Sequence, residues 1–202
     1  MGSACRRKLS SVRTIYVQEK GWTIYIASDI HGGFASIERL WQIIEQDKGQ
    51  KRVVLLGDTY NHGPRNPFPE EYAPMKVARL LEEKMGGFDV IKGNCDSEVD
   101  QMISPFKIRG DFKVCDGERR IFFTHGHKVN PDLPSKKAVS GDVVFYGHFH
   151  VPCHKVVNGV HYVCVGSIAM PKDGSAPTYA IYKDSTIVIK SLDGKEILSI
   201  SL

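Results

Sequence analysis

The sequence contains no uninterrupted run of about 18 apolar residues, the length that a membrane-spanning helix requires, so we expect no membrane span. Its five cysteines are widely scattered and include no Cys-x-x-Cys pair, which argues against a disulfide framework and against a thiolate zinc site. Lys and Arg number 27 against 23 Asp and Glu, and the excess of four lies within the first twenty residues. The remaining chain is balanced in charge, which disfavours a broad nucleic-acid surface.

The composition is that of an ordinary globular protein, with 42% hydrophobic and 25% charged residues among 202. This length suits a single domain with a full hydrophobic core. We interpret residues 1–20 as a basic N-terminal extension, either native or an expression remnant, and residues 21–202 as one domain. The extension has no continuous apolar stretch, so the sequence predicts no secretory signal and a cytoplasmic location.

Short β-branched runs alternate with stretches of helical period from Trp22 onward, which is the pattern of a layered α/β domain. Apolar residues between Phe34 and Gln46 recur on one face and predict a helix, and a second helix is predicted from Tyr72 to Met85. The second half is predicted to consist mostly of strands, with a tight hairpin at Asn158-Gly159. We expect two packed sheets with helices outside them.

Potential metal ligands stand where the predicted strands end. Rigid sheets present side chains to a cleft at such positions, and neighbouring glycines permit tight turns. Seven side chains with nitrogen or oxygen donors share this placement: Asp29, His31, Asp58, Asn94, His125, His148 and His150. Such donors, with no thiolate required, suit Mn, Fe or Zn at two adjacent positions better than they suit a structural zinc site. Two such metals can bind a phosphate ester and activate water, so hydrolysis of phosphate esters is the predicted chemistry.

Each of these elements is weak evidence by itself, because Asp-x-His and Gly-Asp are common in turns. Their order along the chain is far more specific. The ordered series that resembles the signature of calcineurin-like metallophosphoesterases is Asp29-Ile-His31, Gly57-Asp58, Gly93-Asn94, His125 and Gly147-His148-Phe-His150. Further runs look like the bacterial YfcE-type phosphodiesterases: Ser28-Asp-Ile-His-Gly32, His62-Gly-Pro-Arg-Asn-Pro67 and Gly93-Asn-Cys-Asp-Ser-Glu-Val-Asp100. The resemblance covers roughly Trp22 to the C-terminus.

The resemblance implies an α/β fold, a four-layer αββα sandwich in which two mixed sheets are flanked by helices. It implies that one metal is held by Asp29, His31, Asp58 and His150. The other metal would be held by Asp58, Asn94, His125 and His148. Asp58 would then bridge two cations and offset their repulsion. Two divalent ions are therefore expected, with Mn first and Fe, Zn, Co or Ni as alternatives, and a homo-oligomer is expected as well.

One position departs from the family pattern. Much of the superfamily has a His after the Gly-Asn pair, where it contacts substrate and helps to protonate the leaving group, whereas this chain has Cys95. A thiol replaces an imidazolium poorly at neutral pH, which disfavours monoesters more than activated diesters. His62 and His127 are candidate general acids in its place. Arg65 is a candidate substrate contact, because a guanidinium can bind phosphate bidentately.

Other roles for these four residues remain open. His62 and His127 can instead hydrogen-bond backbone near the site, and Arg65 can be a solvated loop residue. Cys95 can contact substrate, or it can act as a nucleophile beside a histidine.

The sequence therefore predicts a metal-dependent phosphodiesterase that hydrolyses a small-molecule diester with water activated by two metals, and that prefers diesters to monoesters. The alternative is a scaffold or interaction protein that keeps the metallophosphoesterase fold without catalysis, as the retromer subunit of similar fold does. Cys95 favours the scaffold slightly, whereas the complete set of seven donors favours the enzyme. A nucleic-acid partner would rest only on the basic extension and on the phosphate chemistry, and we do not expect one.

Overall fold

The structure is a computed structural model that describes residues 13–16, 21–64 and 66–202. Its strands are β1 Arg13–Tyr16, β2 Thr23–Ala27, β3 Lys51–Leu55, β4 Phe88–Ile91, β5 Ile108–Arg109, β6 Phe112–Asp116, β7 Arg119–Phe123, β8 Val143–Tyr146, β9 Pro152–Val157, β10 Val160–Val165, β11 Thr178–Lys183, β12 Thr186–Ser191 and β13 Glu196–Ser201. The helices of the described part are α1 Phe34–Gln46, α2 Pro74–Glu83 and α3 Glu98–Ile103.

These strands form two mixed sheets. The seven-stranded sheet has the order β13-β12-β11-β2-β3-β4-β5, in which β2 to β5 run parallel and β11 pairs antiparallel with β2. The six-stranded sheet has the order β1-β6-β7-β8-β10-β9, in which β7, β8 and β10 run parallel. The predicted architecture of two mixed sheets is therefore confirmed.

The main hydrophobic core lies between the two sheets, where alternate side chains of both are buried. Three phenylalanines of β6, β7 and β8 stack within it, with ring centroids 5.0 Å apart for Phe112 and Phe123 and 5.7 Å apart for Phe123 and Phe145. Such offset aromatic contacts add to the stabilisation from buried area. The core fixes how the two sheets face each other, and so it fixes how their strand ends meet.

The outer layers of the two sheets differ. Side chains of α1, α2 and α3 pack on the outer face of the seven-stranded sheet, with Leu40, Leu81 and Ile103 among them. The outer face of the six-stranded sheet carries Tyr146 and Tyr162 and is covered by Val129 and other residues of an irregular segment. Among the described residues, the helical cover thus lies on one sheet.

The helix predicted from Phe34 to Gln46 is observed with those bounds as α1, and Asn158-Gly159 joins β9 to β10 as predicted. The short helix α3 was missed, although Ser97 and Asp100 form a capping box at its start. Residues 13–16 of the predicted extension form β1 and pair in parallel with β6, while residues 1–12 and 17–20 lie outside the described part. Where the domain begins stays a prediction. No helix of the described residues combines the length and hydropathy needed to cross a membrane.

Candidate metal centre

The seven predicted ligands follow five strands of the two sheets. Asp29 and His31 follow β2, Asp58 follows β3, and Asn94 follows β4. Because these three strands are parallel neighbours, their carboxyl ends meet at one edge of the seven-stranded sheet. The remaining ligands follow β7 and β8, which are parallel neighbours in the other sheet: His125, His148 and His150. The main-chain N–H of His148 donates to Asp29 Oδ2 at 2.8 Å, so the two edges touch.

Three of the imidazoles share one hydrogen-bond pattern, in which Nδ1 faces a backbone carbonyl that can only accept. The pairs are His31 with Asn61 at 2.6 Å, His125 with Leu56 at 2.8 Å and His150 with Met170 at 2.5 Å. Each Nδ1 must therefore carry the proton, which leaves the Nε2 lone pair of the neutral ring free for a cation. The main chain thus selects the tautomer that can bind metal.

The free nitrogen atoms of His31 and His150 point at each other and at Asp29. Their Nε2 atoms are 3.3 Å apart, and His150 Nε2 lies 3.3 Å from Asp29 Oδ1. Asp29 is 0% exposed, and its Oδ1 atom is buried without a hydrogen-bond partner. Ligand atoms bound to one ion at about 2.0–2.2 Å stand roughly 3–3.5 Å apart, so these three residues fit a shared cation.

A second set of donors lies beside the first, with Asp58 between them. Asp58 Oδ2 is 3.8 Å from His31 Nε2 and 3.4 Å from His125 Nε2. Asn94 Oδ1 is 2.9 Å from the same nitrogen of His125, and the His148 ring centre is 5.2 Å from that of His125. The structure therefore brings all seven predicted ligands together, and Asp58 is placed within reach of both sets.

The carboxylates and imidazoles of the centre shift one another's pKa values. Burial opposes ionisation of Asp29, but the imidazoles of His150 and His31 outweigh it and hold the pKa of Asp29 well below its usual value. Burial likewise opposes a charged His125, but Asp58 and Asp29 raise the pKa of His125 to about 9. The same balance, with Asp29 as partner, raises the pKa of His31. A bound cation would replace the extra proton of His125.

Asp96 joins two of the ligand loops. Its Oδ2 atom accepts from the main-chain N–H groups of Asp58 at 2.9 Å and Gly93 at 2.7 Å, and its Oδ1 atom accepts from Thr59 at 2.8 Å. Asp58 Oδ1 in turn accepts from the N–H of Cys95 at 2.8 Å. A Cβ atom on Gly93 would lie 2.0 Å from Asp58 Oδ1, so the loops approach this closely only because that residue is glycine.

Five of the seven ligands have left-handed backbone conformations, which non-glycine residues rarely adopt. The residues with positive φ are Asp29 at 57°, His31 at 48°, Asp58 at 53°, His148 at 70° and His150 at 64°. Such conformations are unfavourable for L-residues and persist where surrounding contacts fix them. The hydrogen bonds of the loops supply those contacts. These backbone conformations direct the ligand side chains toward one another.

A cleft of about 460 Å³ opens above this centre. The residues that line it include Asn61, Pro64, Asn66, Cys95 and Lys172. Lys172 is the one Lys or Arg side chain among the described residues that line the cleft. Among the described residues, the cleft therefore combines predicted metal ligands with one lysine, an arrangement that suits a small anionic ester.

The contacts of the other predicted site residues do not establish a catalytic role. His62 packs against Phe68 and Tyr72, with ring centres 4.5 and 5.2 Å away, and its Nδ1 atom is buried without a hydrogen-bond partner. His127 lies beside His125, with ring centres 5.4 Å apart, and its Nδ1 atom is also unpartnered. Arg65 lies outside the described residues. The general acid and the role of Arg65 stay predictions.

Cys95 lines the cleft as a free thiol. Burial and the neighbouring Asp58 raise its pKa to about 12, which keeps the thiol protonated at neutral pH and disfavours the nucleophile interpretation.

Sequence reasoning missed Asp96 and Lys172. Asp96 belongs to the Gly-Asn-Cys-Asp run, but nothing in that run indicates that one carboxylate serves three N–H groups of two loops. Lys172 follows β10 by several residues, and only the three-dimensional arrangement brings it to the cleft. Ser167 was missed as well; its buried hydroxyl donates to the carbonyl of Asp29 at 2.7 Å.

These features, a dense set of carboxylate, imidazole and amide donors at the edges of two mixed sheets, define a metal-binding phosphoesterase site. A family model described as the calcineurin-like phosphoesterase superfamily domain matches residues 23–186. The chain therefore belongs to that superfamily and is a metallophosphoesterase, the class of enzyme that the sequence predicted.

Among individual proteins, phosphodiesterase YfcE of Escherichia coli is 38% identical over 178 residues, which cover 87% of this chain and 95% of the relative. The solved structure of YfcE, a phosphoesterase from E. coli, matches with a TM-score of 0.84 at 36% identity and covers 89% of this chain and 98% of that chain. The probable metallophosphoesterase YsnB of Bacillus subtilis is 27% identical over 168 residues, which cover 78% of this chain and 82% of the relative. The predicted resemblance to YfcE-type proteins is confirmed.

Asp96→Ala is expected to weaken both the fold and the metal centre. The substitution leaves three main-chain N–H groups without an acceptor, and the expected loss is about 2–4 kcal/mol of unfolding free energy, measured by urea denaturation. Because the loops of Asp58 and Asn94 then separate, Mn²⁺ affinity should fall about 10–100-fold in calorimetric titrations.

Asp96→Asn keeps one carbonyl oxygen and should cause a smaller loss of both quantities, whereas Glu118→Ala at an exposed turn should change neither. Unaltered Mn²⁺ affinity in Asp96→Ala would show that the loops hold their positions without this carboxylate.

Metal binding at pH 7 is expected to release protons. The pKa of His125, about 9, means that this ring carries an extra proton at pH 7 in the metal-free protein, and the pKa of His31 is shifted in the same direction; a cation requires the free Nε2 lone pairs of both rings. Mn²⁺ affinity should therefore fall as the pH is lowered from 9 toward 6. Calorimetric titrations in two buffers of different ionisation enthalpy would measure the release, and an observed enthalpy independent of the buffer would contradict it.

Proposed function

We propose that this metallophosphoesterase is a phosphodiesterase that acts on a small-molecule diester and prefers diesters to monoesters. The observation that carries the proposal is the convergence of free Nε2 atoms with the carboxylates of Asp29 and Asp58 at the floor of a cleft. The likeness to YfcE, which is named a phosphodiesterase, supports the choice of reaction.

The proposal includes two divalent cations. One would be held by Asp29, His31, Asp58 and His150. The other would be held by Asp58, Asn94, His125 and His148. The position of Asp58 Oδ2 between His31 and His125 supports this division, because one carboxylate then serves both sets. When bound, the two cations would lower the pKa of a water molecule and offset the negative charge of the attacked phosphate.

The side chains of the chain itself bind and orient the substrate. Lys172 would attract the anionic phosphate to the cleft, and the loop of Asn61 and Asn66 would contact its non-reacting part. The main-chain acceptors of the histidines hold the rings in place, so that little reorganisation is needed when substrate enters. We include Mn²⁺ as the cation of first choice, with Fe, Zn, Co or Ni as alternatives, since the oxygen and imidazole donors suit each of them.

Cys95 supports the preference for diesters. An alkoxide leaving group needs a proton, and an imidazolium at this position could donate one, whereas a thiol of raised pKa is a weak acid at neutral pH. An activated diester has a better leaving group and depends less on that proton. His62 and His127 remain the candidates for a general acid in other substrates, and the nearness of His127 to His125 supports the second of them.

The proposal also includes that the protein forms a homo-oligomer and is located in the cytoplasm. The edge strands β9 and β13 have unpaired backbone groups on one side, which a second copy of the chain could cover.

The test of the proposed function compares an aryl phosphodiester with the matching monoester, using chelator-stripped protein with and without Mn²⁺. We expect Mn²⁺-dependent turnover that is well above zero for the diester and several-fold lower for the monoester. Asp58→Asn should lower kcat for the diester by at least about 100-fold even at saturating Mn²⁺, since it removes the carboxylate shared by both sets.

Asp184→Asn is the matched control, because it makes the same change at an exposed turn of positive φ that asparagine tolerates. A protein that binds two metals but hydrolyses neither ester would favour the scaffold alternative. Faster turnover of the monoester would contradict the proposed preference.

Cys95→His is expected to raise turnover of an alkyl phosphate monoester by at least about 10-fold, because it supplies an imidazolium that can protonate the leaving group. Turnover of an activated aryl diester should change little. Steady-state kinetics with Cys95→Ser as the control separate this effect from removal of the thiol. An unchanged ratio of monoester to diester turnover would mean that the residue at position 95 does not set the preference.

A further inference from the structure

Two free cysteines face each other across the hairpin of β9 and β10. Cys153 of β9 is the register partner of Cys164 of β10 in this antiparallel pair. Directly opposed residues of antiparallel strands point to the same face of the sheet, and both cysteines belong to the cluster on the outer face of the six-stranded sheet. The pair lies outside the metal centre, and neither residue has a part in the proposed function.

The backbone geometry of this pair suits a disulfide bond. Directly opposed residues of an antiparallel pair have Cα atoms about 4.5 or 5.5 Å apart, depending on the hydrogen-bonding pattern. Disulfide bonds join residues whose Cα atoms are usually about 4.4–6.8 Å apart. Either type of pair falls within this range, so the two sulfur atoms can be linked with little movement of the strands.

The two thiols have different surroundings. Cys153 is half-buried on β9, a strand at the edge of the sheet, and its Sγ atom lies 3.4 Å from the hydroxyl of Tyr146. Cys164 is 0% exposed, and its thiol donates to the carbonyl of Gly147 at 3.6 Å. A small oxidant can therefore reach Cys153 first, whereas Cys164 is buried and not accessible to it.

The electrostatics favour the same order of reaction. The neighbouring Cys164 and the hydroxyl of Tyr146, together with the charge of Lys155, lower the pKa of Cys153 in spite of its burial. The contact with Cys153 and deep burial raise the pKa of Cys164. The thiolate is the nucleophilic form of cysteine, so Cys153 is the more reactive of the two.

We propose that Cys153 and Cys164 form a redox-active dithiol that hydrogen peroxide converts into an intramolecular disulfide. The Cys153 sulfur attacks one peroxide oxygen, the O–O bond breaks, and the other oxygen leaves as water after taking a proton; Cys153 is now a sulfenic acid. The Cys164 sulfur then attacks the Cys153 sulfur, the S–O bond breaks, and the departing hydroxide takes the Cys164 proton to form a second water. Two thiols are oxidised and one peroxide is reduced.

The disulfide would form beneath the metal centre. Gly147, whose carbonyl accepts from the Cys164 thiol, immediately precedes His148 in the loop that also carries His150. Oxidation removes the S–H donor from this carbonyl, which belongs to the backbone of the ligand loop.

Peptide mapping tests the proposal directly on the full chain. Cleavage after Lys137, Lys155 and Lys172 separates the two cysteines into peptides 138–155 and 156–172, each with one cysteine. Reduced protein is treated with hydrogen peroxide, remaining thiols are alkylated under unfolding conditions, and the non-reduced digest is analysed by mass spectrometry. We expect a linked pair of these two peptides that is lighter than their sum by two hydrogen atoms and that disappears on reduction.

Three variants test which cysteine reacts first and whether another thiol takes part. Cys164→Ala should leave Cys153 as a sulfenic acid that dimedone captures, and Cys153→Ala should leave Cys164 available to the alkylating reagent. Cys95→Ser removes another free thiol and should leave formation of the linked pair unchanged. Alkylation of both cysteines after peroxide treatment of the unmodified sequence, or a link from either of them to the Cys95 peptide, would overturn the proposal without reference to the variants or to phosphodiesterase activity.

Discussion

The hydrogen bonds of the Asp96 carboxylate hold together the loops on which the centre depends. One buried side chain, 5% exposed, satisfies N–H groups from the loop after β3 and from the loop after β4. Asp58 completes the connection in the opposite direction by accepting from Cys95. Asp58 lies between the two sets of donors. The hydrogen bonds of Asp96 and Asp58 to the two loops therefore set the distance between the two sets.

The main chain has a larger part in the centre than its ligands alone suggest. Carbonyl groups of Leu56, Asn61 and Met170 fix the protonated nitrogen of three imidazoles, and these groups come from two loops, the one after β3 and the one after β10. A carbonyl can only accept, so each ring keeps a proton on Nδ1 and turns its Nε2 atom toward the carboxylates of the centre. The fold thereby fixes which nitrogen of each of these rings faces a cation.

How far the sequence predicts this molecule depends on the range of each interaction. The α1 helix and the Asn158-Gly159 hairpin follow from local patterns and were predicted closely. The gathering of ligands also follows from local signals, since residues at the ends of adjacent parallel strands must meet. Asp96 and Lys172 could not be predicted in this way, because their roles arise from contacts with loops distant in sequence. The uneven helical cover depends on the packing of whole layers, which no short pattern encodes.

The left-handed backbone at five ligand positions also limits how the site can evolve. Asparagine, aspartate, histidine and glycine enter this conformation more readily than other residues, and β-branched or bulky residues rarely do. A protein that evolves a different metal preference can therefore replace these ligands mainly with residues of these four types, unless the backbone conformation of the loop changes as well. Glutamate, a common metal ligand elsewhere, would meet a backbone penalty at His31 or Asp58 in addition to its extra length. The loops thus restrict the accessible chemistry before any ion or substrate is considered.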